Sequence, residues 1–354
     1  MNSRARTLIV ATLALPMVAS GQSLDLMVHN TGLSIGDSRL VHGVRLNFRD
    51  DRMQRVVGVN ATIWSPYSPA RGYVKGIALG LPMTGARRID GLGIGLFGVG
   101  AEQEFNGIGM GLFGVGAGGN VTGLLIGGFG VGAGGNVTGV TIGGFGAGSG
   151  GNVKGVTIGG FGAGAGGNIT GLQAGLFGVG AGGNVKGISF GGFGAGAGGN
   201  VTGITIGGFG AGAGGDITGI TIGGIGAGAG GTLRGLAIGG LGVGAPRVRA
   251  IVLSVVGAGG HDVEGGILAP FYFKVEDDNG EPGRMKGVSI SAFNHIKGDQ
   301  FGLSIGLLNY ARELHGWQLG VLNYARNNPK GLRLLPLFNR AWQGHAEPPV
   351  RRER

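Results

Sequence analysis

The sequence predicts an all-β protein: a glycine-rich β-solenoid of 16-residue coils, with two short strands in each coil. Three observations carry that reading. Asn120, Asn136, Asn152, Asn168, Asn184 and Asn200 stand 16 residues apart, and Asp216 and Thr232 continue the series. Glycine is abundant, 89 of 354 residues, yet it falls neither at every third position nor in a polar chain. Side-chain parity also reverses in the middle of each unit, as it does where one strand ends and another begins.

Composition narrows the classes. A collagen needs glycine at every third residue and many prolines, and here there are 11 prolines. Disorder needs low hydrophobicity and high charge, whereas this chain is 42% hydrophobic and 13% charged. Helix is excluded, because seven or so glycines per unit would each cost roughly 1 kcal/mol relative to alanine. An ordered repeat with a thin core remains.

Taken from the N-terminus, residues 1–21 read as a secretory signal. Arg4 and Arg6 precede a mostly apolar 12-residue run, Leu8 to Ala19. Ala19 and Gly21 place small residues before a cut expected after Gly21. The run is short for a membrane span, and no later segment holds 18 consecutive apolar residues. There is no cysteine, so export would proceed without disulfides. Residues 22–73 read as N-terminal strands and a cap, and 74–245 as the 16-residue repeats. Residues 246–342 read as degenerate repeats closed by a C-terminal cap, and 343–354 as a polar basic tail.

The repeat reads G-N-V-T-G-[hydrophobic]-x-I-G-G-F-G-[V/A]-G-A-G. Weaker copies begin at Gly76, Gly91 and Gly107, and downstream at Gly287, Gly302, Gly316 and Gly331. Purity in the middle and degeneracy at the ends suit a solenoid with capping units. Leu124 and Ile126 share a parity and are expected to face inward. The position between equivalent residues is Thr141, Thr157, Gln173, Ser189, Thr205 and Thr221 in other copies, and is expected outward. After the Gly127-Gly128 corner, Phe129, Val131 and Ala133 share a face that is expected inward. Gly134-Gly135-Asn136 makes the second corner, where Asn and Gly tolerate positive φ. Asn120, Asn136, Asn152, Asn168, Asn184 and Asn200 are therefore read as corner residues. One coil cannot offset its ordering entropy, so stacking is obligatory.

A second architecture fits the same period. The unit could be a single strand of about 11 residues with a turn, the length used by an outer-membrane β-barrel. The ending "LRLLPLFNRAW" would then be its closing strand. The parity reversal and the uniform turns favour the solenoid.

Few motifs point to chemistry. "GVGAGG" at Gly114 matches a dinucleotide fingerprint only by composition, since no helix can follow it. "GAGGN" lacks the carboxylates a calcium-binding turn needs. The sequons at Asn120, Asn136, Asn168 and Asn200 coincide with corners, and Lys154 and Lys186 break the sequon without breaking the repeat. Thr122, Thr141, Thr157, Thr205 and Thr221, read as outward, form a candidate surface-binding face of the kind that meets ice or another crystal lattice. His29, His42, His261, His295, His315 and His345 show no metal-ligand spacing. Glu276, Asp277 and Asp278 read as a solvated loop. No nucleophile, base and orienting group converge. The expectation is a non-enzyme without catalytic residues, cofactor or metal.

The formal charge of +10 sits at the two ends of the chain, while the repeats from Gly118 to Gly244 carry only Lys154, Lys186, Arg234 and Asp216. There is no basic stripe with interleaved aromatics, so nucleic acid is not an expected partner.

The segment "GLSIGLLNYARELHGWQLGVLNYARNNPKGLRLLPLFN", Gly302 to Asn339, resembles a bacterial surface-repeat family of leptospiral and bacteroidete-type genomes, whose units read G-[LV]-x-[IL]-G-[LV]-x-N. The likeness is strong there and moderate from Gly76 to Gly116. The central block departs from it, with Gly-Phe-Gly in place of Leu-Val-Asn. The resemblance implies export to the outer membrane or cell surface of a Gram-negative-type bacterium. Outer-membrane or other envelope components are the partners it implies; self-association through the flat glycine face is a further candidate, drawn from the repeat and not from the resemblance. It carries no reaction and no catalytic residues. The expected role is structural or adhesive, with an outer-membrane pore or an ice-binding solenoid as alternatives.

Overall fold

The computed structural model describes residues 18–20, 23–278 and 280–342. The rest of the expected secretory signal, its cut after Gly21, and the basic tail lie outside the described residues. The described residues hold strands and one 3-10 turn, Lys330–Leu332. The chain divides into two compact units, Met1–Gly132 and Ala133–Arg354. Each is a β-solenoid.

The regular coil is clearest in the second unit. A seven-residue strand such as Val153–Gly159 runs to a two-residue corner. A four-residue strand, Gly162–Ala165, follows, and a second corner leads to Ile169–Gly175. Pairing is parallel and strictly in register: Val153 lies on Ile169, Gly155 on Gly171, Thr157 on Gln173 and Gly159 on Gly175. Each residue therefore stacks on its counterpart one turn later. This overturns the single-strand-per-repeat barrel. That barrel needs antiparallel neighbours, whereas here each repeat bends twice and hydrogen-bonds in parallel to the next.

One glycine column makes the stacking possible. Gly155, Gly171, Gly187, Gly203 and Gly219 have φ between +129° and +136°, a region L side chains rarely enter. A Cβ on Gly187 would drive into the carbonyl of Gly171, 2.9 Å from its carbon. Side chains at this column would push the coils apart.

The interior differs from expectation in parity. Thr141, Thr157, Gln173, Ser189, Thr205 and Thr221 are all within 2% of full burial. They point inward beside Val137, Val153, Ile169, Val185, Val201 and Ile217. The Leu124/Ile126 pair and its counterparts point outward; Ile158 is 37% exposed. Phe129 also faces out, while Val131 and Ala133 face in as expected. The cause is the corner. A Cβ on Gly159 would strike the Gly162 carbonyl across the turn, so the inward column at the strand's end must be glycine. Alternation then fixes Thr157, Gly155 and Val153 on the same inward side. The space opposite is closed by small residues such as Ala147, Ala163 and Ala195. Threonine, shaped like valine, fills it, and Thr141 Oγ1 donates to Thr157 Oγ1 at 3.2 Å.

The first unit carries a polar plug in the same inward column. Arg45 is fully buried and pairs with Asp50 and, at 2.5 Å, with Asp37. It also donates to Asn60 Oδ1 at 2.8 Å. Thr62 and Asn60 complete Asp50's hydrogen bonds at 2.7 and 3.1 Å. A buried ion pair survives only when so fully satisfied.

Both units include antiparallel strands outside the coils. In the first, Ser23–Val28 and Thr31–Gly36 form a hairpin around His29 and Asn30, both at positive φ. In the second, Leu334–Arg340 lies antiparallel on Trp317–Ala325. An open parallel edge is a template for further pairing, and this last strand covers one.

Candidate functional site

Outward side chains of the long strands form columns that run along the solenoid. In the second unit the column nearest the asparagine corner is Thr138, Lys154, Thr170, Lys186, Thr202, Thr218, Arg234 and Arg249. The next is Val140, Val156, Leu172, Ile188, Ile204, Ile220, Leu236 and Ile251. The third begins Ile142, Ile158, Ala174, Phe190, Ile206, Ile222 and Ile238. At the corner beyond it, Phe161, Phe177 and Phe193 stack at 4.9 Å with rings within 5° of parallel, and Phe145 and Phe209 extend the row. The coil repeat imposes this face-to-face stacking, since it offers each ring a copy of itself at strand spacing.

The result is a flat apolar face. The phenylalanines of the row are 45–51% exposed. Over seven successive long strands, from Val137–Gly143 to Thr232–Gly239, the two apolar columns and the phenylalanine corner cover roughly 34 Å by 17 Å, or about 600 Å², at ordinary strand spacing and rise. The largest apolar patch on a typical monomer is about 300–600 Å². Cations flank this face on one side. Lys154, Lys186 and Arg249 are exposed and make no ion pair among the described residues, whereas Arg234 pairs with Asp216 at 3.2 Å. The first unit has its own version, with Ile77, Leu92, Ile108 and Leu124 in one column. Phe113 there stacks on Phe129 at 5.0 Å.

The candidate threonine face does not exist as read. Thr122 is exposed, but Thr141, Thr157, Thr205 and Thr221 lie inside. Thr122 belongs to a different column from the other four, the one occupied by Thr138 and Lys154 in later coils. The true outward threonines alternate with lysine, which breaks any lattice match.

The asparagine corners form a hydrogen-bonded ladder. The backbone N–H of Asn152 donates to Asn136 Oδ1 at 2.8 Å, and Asn168 to Asn152 at the same distance. Asn184, Asn200, Asp216 and Thr232 continue it at 2.6–2.7 Å. Glycine precedes each asparagine because a Cβ on Gly167 would meet Asn152 Oδ1 at 2.6 Å. Asp216 fits the same rung. Its carboxyl is held below the usual range by the Thr232 N–H, and then by Arg234.

Sequence reasoning missed two features. It read the Ile and Phe columns as core, because apolar residues are the usual interior. It also saw no convergence among the histidines. His315 comes beside Asp299 and Glu313, with ligand-type atoms of all three within 4.8 Å of one another. Their positions, in adjacent irregular coils, hide the grouping from linear spacing. No protein-family model, curated protein or solved structure matches the chain.

Proposed function

We propose that this chain is a non-enzymatic, exported repeat protein of a bacterial envelope with a structural role, seated by its isoleucine and phenylalanine face on a lipid surface. The observation that carries the reading is the apolar face of about 600 Å² bordered by Lys154, Lys186 and Arg249, which make no ion pair among the described residues. An apolar face with cations at its edge is the signature of a segment lying in a membrane interface, where lysine stems run along apolar surface and their heads reach phosphates. The N-terminal signal pattern and the resemblance of Gly302 to Asn339 to surface-repeat proteins support export. A pore is not part of this reading, since the coils are solenoidal.

The test is flotation of the full mature chain with vesicles of phosphatidylcholine alone or mixed with phosphatidylglycerol. The parent protein should float with the anionic vesicles, and more weakly at high salt. Phe177→Ser combined with Phe193→Ser should remove flotation, and Lys154→Glu with Lys186→Glu should remove the preference for anionic lipid. Failure to float with either vesicle, or flotation unchanged by the serine pair, overturns the reading. A stable dimer in sedimentation that disappears with the serine pair would assign the face to a second copy instead.

A further inference from the structure

The corner column changes character toward the C-terminus. After the amide ladder it continues as Thr232, Arg247, Asp262, Arg284 and Asp299, each stacked on the one before. Arg247, Asp262, Arg284 and Asp299 alternate in sign, as directly opposed cross-strand charges should. The alternation then fails. The next acidic group is Glu313, whose carboxyl reaches that of Asp299, so two like charges meet where the pattern calls for a cation. His315 Nε2 stands 3.7 Å from Glu313 Oε2. Its ring is fixed by stacking on Phe301 at 4.6 Å and 9°. Arg284, the one cation stacked beside Asp299, lies with its guanidinium over the Phe301 ring, 5.1 Å from its centre.

We propose that Asp299, Glu313 and His315 bind a divalent transition-metal ion of the zinc class. Two carboxylates and an imidazole form a mixed oxygen and nitrogen set, which suits Zn²⁺ and its first-row neighbours better than Ca²⁺ or Mg²⁺, whose sites are built from oxygen. Ligands around a tetrahedral Zn²⁺ lie about 3.4 Å apart. The three ligand atoms, all within 4.8 Å of one another, reach that spacing by movement of Glu313, whose side chain is 54% exposed. Asp299 and His315 are more buried and held by sheet pairing: the Asp299 N–H donates to Gly283 O, and the His315 N–H to Gln300 O, both at 2.9 Å. Three protein ligands leave a further coordination position for water or a partner's group. The site is independent of the apolar face.

The test uses the untagged, chelator-treated full chain, titrated calorimetrically with ZnCl2 and, separately, with CaCl2 and MgCl2. One equivalent of Zn²⁺ should bind, raising the melting temperature. His315→Asn and Asp299→Asn should each weaken binding at least tenfold. Glu313→Gln gives a readout of opposite sign: without metal it should melt above the parent, because a like-charge contact is gone, yet it should lose the zinc-induced rise. Absence of saturable Zn²⁺ binding overturns the proposal. So does Zn²⁺ binding that survives in both His315→Asn and Glu313→Gln, or binding of Ca²⁺ or Mg²⁺ in preference to Zn²⁺. A lower melting temperature for metal-free Glu313→Gln would make Glu313 a structural partner and overturn it too.

Discussion

Two alanine substitutions seven residues apart should move stability in opposite directions. Gly187 has φ of +136°, and a Cβ there would collide with the Gly171 carbonyl, 2.9 Å from its carbon and 3.1 Å from its amide nitrogen. Holding a non-glycine residue in such a region costs about 1–3 kcal/mol. Relieving the collision by separating two coils would also weaken at least one coil-to-coil hydrogen bond, worth about 1 kcal/mol. Gly187→Ala should therefore lose about 2–4 kcal/mol. Gly180 lies in the short strand Gly178–Ala181 without positive φ, and the nearest atom to an added Cβ is Gly196 O at 3.8 Å. That is ordinary contact, so Gly180→Ala should gain about 0.4–1 kcal/mol by restricting the unfolded chain. Guanidinium titration followed by far-ultraviolet circular dichroism gives both midpoints under one set of conditions. Shifts in the same direction would refute the argument, as would a Gly187→Ala change below about 0.5 kcal/mol, the ordinary range for surface substitutions.

Thr205 Oγ1 is buried without a hydrogen-bond partner among the described residues, so Thr205→Val should raise the denaturant midpoint by the equivalent of about 1 kcal/mol or more. Arg45→Met strands Asp37 and Asp50 and should cost about 3–5 kcal/mol, read as an early loss of dichroism in the same titration. Asp216 has a folded pKa below its unfolded one, so its contribution is present above the unfolded carboxylate range and is lost as pH falls through the folded value. Asp216→Asn should flatten that part of the melting-temperature profile against pH and keep the corner ladder, which asparagine already forms elsewhere.

The period was legible from one residue type. Asn120 to Asn200 set the coil, and the glycine pair Gly127-Gly128 marked the break between its two strands, but the parity reversal read there is absent: Leu125, Gly127, Val131 and Ala133 all face in, and only Phe129 in the corner turns out. What failed was the assignment of sides. Alternation at Leu124, Leu125 and Ile126 is symmetric until something anchors it, and the usual anchor, that apolar residues go inside, pointed the wrong way. The glycines held the answer. Gly155 and Gly159 share parity with Val153 and Thr157, and a tight return corner needs glycine on its inner side. The Arg45 plug and the Asp299–Glu313–His315 group were out of reach for a different reason. Each depends on which residues stack one coil apart, and in the irregular coils that offset is no longer 16.

Strict pairing of like on like leaves one problem to the chain as it folds. From Val137–Gly143 to Ile217–Gly223 every coil presents nearly the same edge, so a strand that docks one coil too far meets an almost perfect mimic of its proper partner. Local contacts there cannot proofread the alignment. The unequal rungs beyond, Arg247, Asp262 and Arg284 with the closing strand Leu334–Arg340, are unique and punish a slip with opposed like charges. Folding that nucleates at these distinctive coils and zips backward would reach the native alignment, whereas nucleation in the uniform stretch would populate slipped isomers, each one repeat out of phase.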